Sequence, residues 1–159
     1  MSEPASINPR IVDGLYCEAL VLSDEVRAAF DMSGRLDAAL ASSAGHGEDA
    51  GRIALSCEAL RTTTRMMHAI AWLLNHRAYF AGDLTEFQLR RHGRLPADFP
   101  GGEAERVALL APELRSVVAA SERFYARVVR LEMAWREREA EAPSAVARLR
   151  ERLSRSVAG

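Results

Sequence analysis

The residues best equipped for chemistry in this chain are four histidines and two cysteines, and their spacing gathers none of them into a site. His68 and His76 stand eight positions apart in one helical stretch, so they point roughly 80° apart and cannot clamp one metal ion. The segment GHGEDAG from Gly45 to Gly51 is glycine-rich. It lacks a following Lys-Ser/Thr, and no strand leads into it, so it is not a phosphate loop. His46 within it reads as solvated. No CxxC, HExxH or ExxH pattern occurs, and no Ser or Cys has a neighbouring His in a nucleophile pattern. A phosphotransfer role for His68 would want Lys and Gly shortly after it, and Ala69-Ile70-Ala71-Trp72 follow instead. The expectation is no enzyme: no catalytic, cofactor-binding or metal-binding residues.

The elements that carry these residues are helices. The stretch from Arg61 to Gly82 is the most apolar of the chain. Counting through it, Ile53, Cys57, Leu60, Thr64, Met67, Ala71, Leu74 and Ala78 recur at alternating steps of four and three. That is the period of a helix packed along its length, and Met66, Ile70 and Leu73 widen the arc. This stripe is expected to face the core. Opposite it project Arg61, Arg65, His68, Trp72, Asn75, His76 and Tyr79. A Trp and a Tyr beside Arg on an exposed face have the composition of a protein-interaction hot spot. The alternative is that another element, the arm over residues 83–102, covers Trp72. Arg77 projects into the apolar arc and is expected to reach out or pair with an acidic residue of a neighbouring helix.

Two further helices follow from the same period. Asn8 can cap a helix with Pro9 at its first position, and Ile11, Leu15, Ala19, Leu22, Val26, Ala29, Ser33, Leu36 and Leu40 continue it for about 30 residues, on the order of 45 Å. Gly34 is a point of local weakness. A flexible loop, 42–51, leads to the second helix, from about Gly51 to Ala81, which Gly82-Asp83 stops. Thr85 can cap a short turn to Arg91, and a proline- and glycine-bearing loop, 92–102, follows. Glu103–Leu110 reads as a turn before a main third helix that starts at Pro112 and ends near Glu141. The expected fold is all-α: an antiparallel, up-down-up three-helix bundle over 1–142 with an extra turn in the second connection. Residues 143–159 differ, with Arg148, Arg150, Arg152 and Arg155 against Glu151 alone and Val146, Leu149 and Leu153 at helical spacing. Too short to be a stable helix in water, they read as a mobile basic amphipathic tail that orders on a partner.

Bulk composition narrows the class. The chain has 159 residues, 48% of them hydrophobic, with 21 basic and 22 acidic side chains. Every basic one is Arg. A net charge of −1 argues against nucleic acid as partner. Charge is uneven, at −6 over residues 1–50 and positive after them, so an acidic first helix lies beside arginine-bearing ones. Cys17 and Cys57 make no disulfide framework and read as buried free thiols in a reducing compartment. The opening MSEPASINPR has no basic leader or apolar h-region, and the longest apolar run, Ala69–Leu74, is six residues. A cytoplasmic protein without a membrane span is therefore expected.

The run Thr63-Thr64-Arg65-Met66-Met67, then Ala71-Trp72-Leu73-Leu74, Arg77-Ala78 and Gly82 resembles the signature segment of the RcdA family, alphaproteobacterial regulators of CtrA degradation. Pro112-Glu113-Leu114, Ser121-Glu122-Arg123, Tyr125 and Arg127-Val128 to Leu131 are similar to its third-helix pattern. The resemblance covers about residues 10–135; the family segment usually has Gln where His68 stands, and the tail departs most. It implies a non-enzymatic, homodimeric three-helix adaptor that brings cargo, including cell-cycle transcription factors, to the ClpXP protease primed by the response-regulator-like protein CpdR. The C-terminal tail is implicated in delivery. On that reading Arg61, Arg65, Trp72 and Tyr79 form a docking or dimer surface, and Arg148, Leu149, Arg150 and Leu153 a mobile partner contact. The competing class is a small-molecule-sensing or DNA-associated helical regulator, which needs an enclosed cavity or a basic stripe longer than the row Arg123, Arg127, Arg130.

Overall fold

A computed structural model describes residues 7–41, 49–96, 98–141 and 145–157. Among them the regular structure is entirely helical: α1 (Pro9–Ala41), α2 (Asp49–Ala81), α3 (Glu86–His92), α4 (Ala104–Ala108), α5 (Pro112–Glu141) and α6 (Ala145–Val157). The local signals act where they stand in the sequence. Asn8 Oδ1 accepts the Ile11 amide at 3.0 Å, capping α1, and the helix runs unbroken through Gly34. Gly82 adopts φ +86°, the left-handed conformation that ends α2. The Asp83 amide then reaches the Ala78 carbonyl at 2.8 Å and the Gly82 amide reaches Tyr79 at 3.0 Å, which together form a Schellman cap. Thr85 and Gln88 make a reciprocal capping box for α3.

The three long helices α1, α2 and α5 each pack against the other two, while α3 and α4 lie against α2. Helix α1 runs antiparallel to both long neighbours. Its start meets the end of α2 through Arg77 Nε to Asp13 Oδ1 at 2.8 Å, and Arg127 on α5 grips Glu18 with two bonds of 2.8 and 2.6 Å. Near its other end, Phe30 lies in a groove with Ala59 and Thr63 of α2. The expected up-down-up course needs correction at the third helix. Arg65 bonds Ser121, Trp72 bonds Glu132, and Tyr79 meets the Trp135 ring, so α2 and α5 ascend together and are parallel. Parallel neighbours cannot be joined by a short turn. The described residues of 82–96 and 98–111 therefore carry the chain back along the groove between them, with α3 at one end and α4 at the other.

The core is built from Val12, Leu15, Ala19, Leu22, Val26 and Phe30 of α1 and Leu114, Val118, Phe124 and Val128 of α5. Each buried aliphatic or aromatic residue of that size contributes roughly 1.5–3 kcal/mol. From α2 the core takes Ala54, Met66, Ala69, Trp72 and Leu73, so α2 is turned about half a revolution from the expected orientation. The stripe from Ile53 to Leu74 faces outward. Leu36, expected inside α1's stripe, is also exposed, as is Cys17, while Cys57 is half-buried. No helix among the described residues is long and apolar enough to cross a membrane. The tail expected to be without fixed structure is the helix α6.

Replacing Gly82 by Ala puts a Cβ on a left-handed residue and should cost about 1–2 kcal/mol. Urea denaturation followed by helical circular dichroism measures it as a lower midpoint with unchanged slope.

Candidate functional site

The sequence nominated the polar edge of α2, and that edge is occupied by the chain itself. Its buried positions, Glu58, Thr62, Arg65, Ala69, Trp72 and His76, alternate steps of four and three as a core stripe does. Arg65 is 2% exposed and Trp72 1%, so neither is open to a partner. This corrects the expectation of an exposed hot spot in favour of its alternative. The covering arm is formed by residues 93–96 and 98–103, and its backbone at 100–103 pairs with the side chains beneath it.

Two polar clusters result. In the first, Arg65 Nη1 donates to Ser121 Oγ at 2.7 Å, and Nη2 lies 3.5 Å from both the Pro100 carbonyl and Glu122 Oε1. Arg61, half-buried, donates to the Gly101 carbonyl at 2.9 Å and to Glu103 at 3.1 Å. The Gly102 amide donates to Glu122 Oε1 at 2.7 Å and the Glu103 amide to Glu58 at 3.4 Å. An alanine Cβ at Gly102 would fall 2.7 Å from Val107 Cγ2 and 3.0 Å from Glu58 Oε2, so the arm can approach this closely only as glycine. Burial pushes the Arg65 pKa down, and Glu122 and Glu58 counter it. His68, weighed as a phosphotransfer residue, is half-buried with its ring edge-on to Phe99 of the arm at 5.1 Å.

In the second cluster the Trp72 indole N–H donates to Glu132, which also accepts from Arg136 at 2.7 Å. His76 stacks 3.8 Å from Trp72 and meets Trp135 edge-on at 5.4 Å. Its Nδ1 donates to the Trp72 carbonyl at 3.0 Å. Tyr79, half-buried, lies edge-on to Phe80 and Trp135. The first cluster joins α2 to α5 and to the arm, and the second joins α2 to α5, which is structural work. Among the described residues, no group of three or more His, Cys, Asp or Glu could hold a metal ion.

Two surfaces remain open. The first is α6, whose described side chains, Arg148, Leu149, Arg150 and Leu153 among them, are all exposed; Glu151 and Arg155 pair along it at 3.1 Å. The second escaped the sequence reading, which placed it inside. Ile53, Leu60, Met67 and Leu74 on α2 are 58, 71, 63 and 43% exposed. The signal was available as a heptad of large apolar residues on a helix that also carries a second, mixed stripe. The arginine row on α5 is interrupted, because Glu18 holds Arg127.

Trp72→Phe strands Glu132 without its indole donor and should cost about 1–3 kcal/mol, whereas Tyr79→Phe should stay within about 0.5 kcal/mol; denaturant titration compares them. Burial holds the His76 pKa below 6.5, outweighing the Trp72 carbonyl, Glu132 and Glu139, which favour the charged form. Arg90, Arg94 and Arg136 line the same recess. With the folded value depressed and the unfolded near 6.5, the unfolded chain binds more protons once pH falls below about 6.5. Stability is then complete above that pH and declines below it, levelling at the folded pKa. Urea midpoints between pH 7 and 5 should fall in the wild type and fall less in His76→Gln.

No curated protein and no solved structure matches the chain. A family model does, over residues 4–157, which takes in the packed helices and α6 alike; the chain belongs to the DUF1465 family, described as a protein of unknown function.

Proposed function

We propose that this protein is a cytoplasmic, homodimeric, non-enzymatic adaptor that tethers substrate proteins, cell-cycle transcription regulators among them, to the primed ClpXP protease, as its resemblance to the RcdA family implies. The observation that carries the reading is α6. A basic amphipathic helix, with Leu149 and Leu153 exposed between Arg148, Arg150 and Arg152, follows a rigid packed body and is itself unburied. Helices of that composition dock by laying the apolar side chains into a groove while the arginines meet acidic groups at its rim. A body holding one protein while α6 holds another raises their effective concentration to the millimolar range without any chemical step. The polar edge of α2, expected to dock partners, instead gives the body its rigidity, and the docking role passes to the exposed surfaces.

A reconstituted degradation assay tests this, with ClpXP, the response-regulator-like factor and a cell-cycle transcription factor as cargo. Adding the full chain should speed cargo turnover about 10-fold or more at sub-saturating cargo. A chain ending at Ala142, or one with Leu149→Glu and Leu153→Glu, should lose that gain while keeping its folded helical signal. Turnover indifferent to the full chain sinks the adaptor reading, and equal activity of the truncated chain removes α6 from it.

A further inference from the structure

We infer that the outward face of α2 is the seam between two copies of this chain, packed antiparallel about a two-fold axis that passes between Thr63 and Thr64. The inference deepens the adaptor reading, on which it rests only for taking a homodimer as the assembly. From Ile53 to Leu74 this face carries no charged residue: Ile53, Leu60, Met67 and Leu74 recur every seven positions, with Ser56, Thr63 and Ala71 between them, all exposed. At about 1.5 Å per residue the strip is roughly 32 Å long. A contiguous apolar surface of that extent marks an interaction site, and depletion of charge marks the centre of an interface rather than its rim. The exposed Val21, Met32 and Leu36 of α1 do not compete, because Glu25, Asp31 and Arg35 interrupt them along the helix.

The symmetry of the strip identifies its occupant. Ile53 and Leu74 are equidistant from the midpoint between Thr63 and Thr64, and so are Leu60 and Met67. An antiparallel second α2 therefore sets Leu60 against Met67 of the second copy and Ile53 against its Leu74. The small side chains between admit these knobs, and the contact closes on itself as a two-fold interface must. Helix α1 runs antiparallel beside the strip, and Asp24, Arg27 and Asp31 line the groove that also holds Thr63 and Met67. Arg27 pairs with Asp24 at 3.0 Å, both side chains about three-quarters exposed (74% and 75%). Charged side chains thus border an uncharged centre, as at the rim of an interface.

Sedimentation equilibrium of the full chain at micromolar concentration is the test. The wild type should sediment at twice 17.5 kDa, the mass of one chain. Leu60→Glu and Met67→Arg should each sediment as single chains with the helical signal unchanged, since both positions are on the surface. The double variant Leu60→Glu/Met67→Arg should recover the dimer, because each Glu then faces an Arg of the second copy. Thr63→Arg, beside the axis, replaces either single variant that loses its helical signal. A monomeric wild type overturns the proposal, as does a dimer that survives both single changes or a double variant that stays monomeric. Rescue seen only on mixing Leu60→Glu with Leu60→Arg chains would mean a parallel seam and also overturns it. A monomeric wild type that still speeds cargo degradation removes the seam alone; a dimer lost on Leu60→Glu, in a chain that never affects degradation, removes the adaptor alone.

Discussion

The buried guanidinium of Arg65 constrains the rest of the molecule. A charged group that is almost wholly enclosed is costly unless oxygen atoms surround it. Here Ser121 comes from α5, the Pro100 carbonyl from the returning arm, and Glu122 completes the set. These partners come from two different parts of the chain and are assembled only when α5 runs parallel to α2 and the arm lies between them. Glu58 and Arg61 extend the same logic toward the amide of Glu103 and the carbonyl of Gly101. An extended arm has backbone donors and acceptors that no helix satisfies. Polar side chains along α2 supply what it lacks. The arm and the polar edge of α2 thus satisfy each other, and neither would be stable where it is without the other.

That dependence explains which parts of the fold were legible. The caps were written locally: Asn8 before Pro9, Gly82 after Ala81, Thr85 with Gln88. Each acts through groups within a few residues of itself, so the sequence showed it. The cores of α1 and α5 were legible as well, because Leu15, Leu22, Val26, Leu114, Phe124 and Val128 face inward and charged residues face outward. Helix α2 broke the rule. It carries one stripe of pure hydrocarbon and small residues and one of Glu58, Thr62, Arg65, Trp72 and His76, and burial went to the mixed one. Hydrophobic periodicity weighs single side chains against water. It cannot weigh Arg65 against a serine fifty-six residues away, and it cannot see that the 92–102 loop would be long because it returns the chain between parallel helices.

The candidate site was legible in the same proportion. The aromatic and arginine residues named on α2 do come together, but as the joint between α2, α5 and the arm, with His76 wedged between two indoles. Arg148, Leu149, Arg150 and Leu153 remain on the surface, where the sequence put them. Their exposure does not depend on tertiary partners, and composition alone was enough to read it.

The orientation of α2 also decides which of its faces meets solvent. A helix with one apolar and one mixed stripe can bury either, and the polar contacts of Arg65 and Glu58 decide which. Had α2 buried Leu60 and Met67, the arm would have lost its anchors and Glu58 and Arg65 would have faced solvent. Anchoring the arm and exposing the heptad are therefore one event: each hydrogen bond that holds residues 100–103 against α2 also holds Ile53, Leu60, Met67 and Leu74 toward solvent. A substitution in the buried cluster that lets α2 rotate would disturb the outer face without touching it, and the two surfaces are coupled through the rigid body of a single helix.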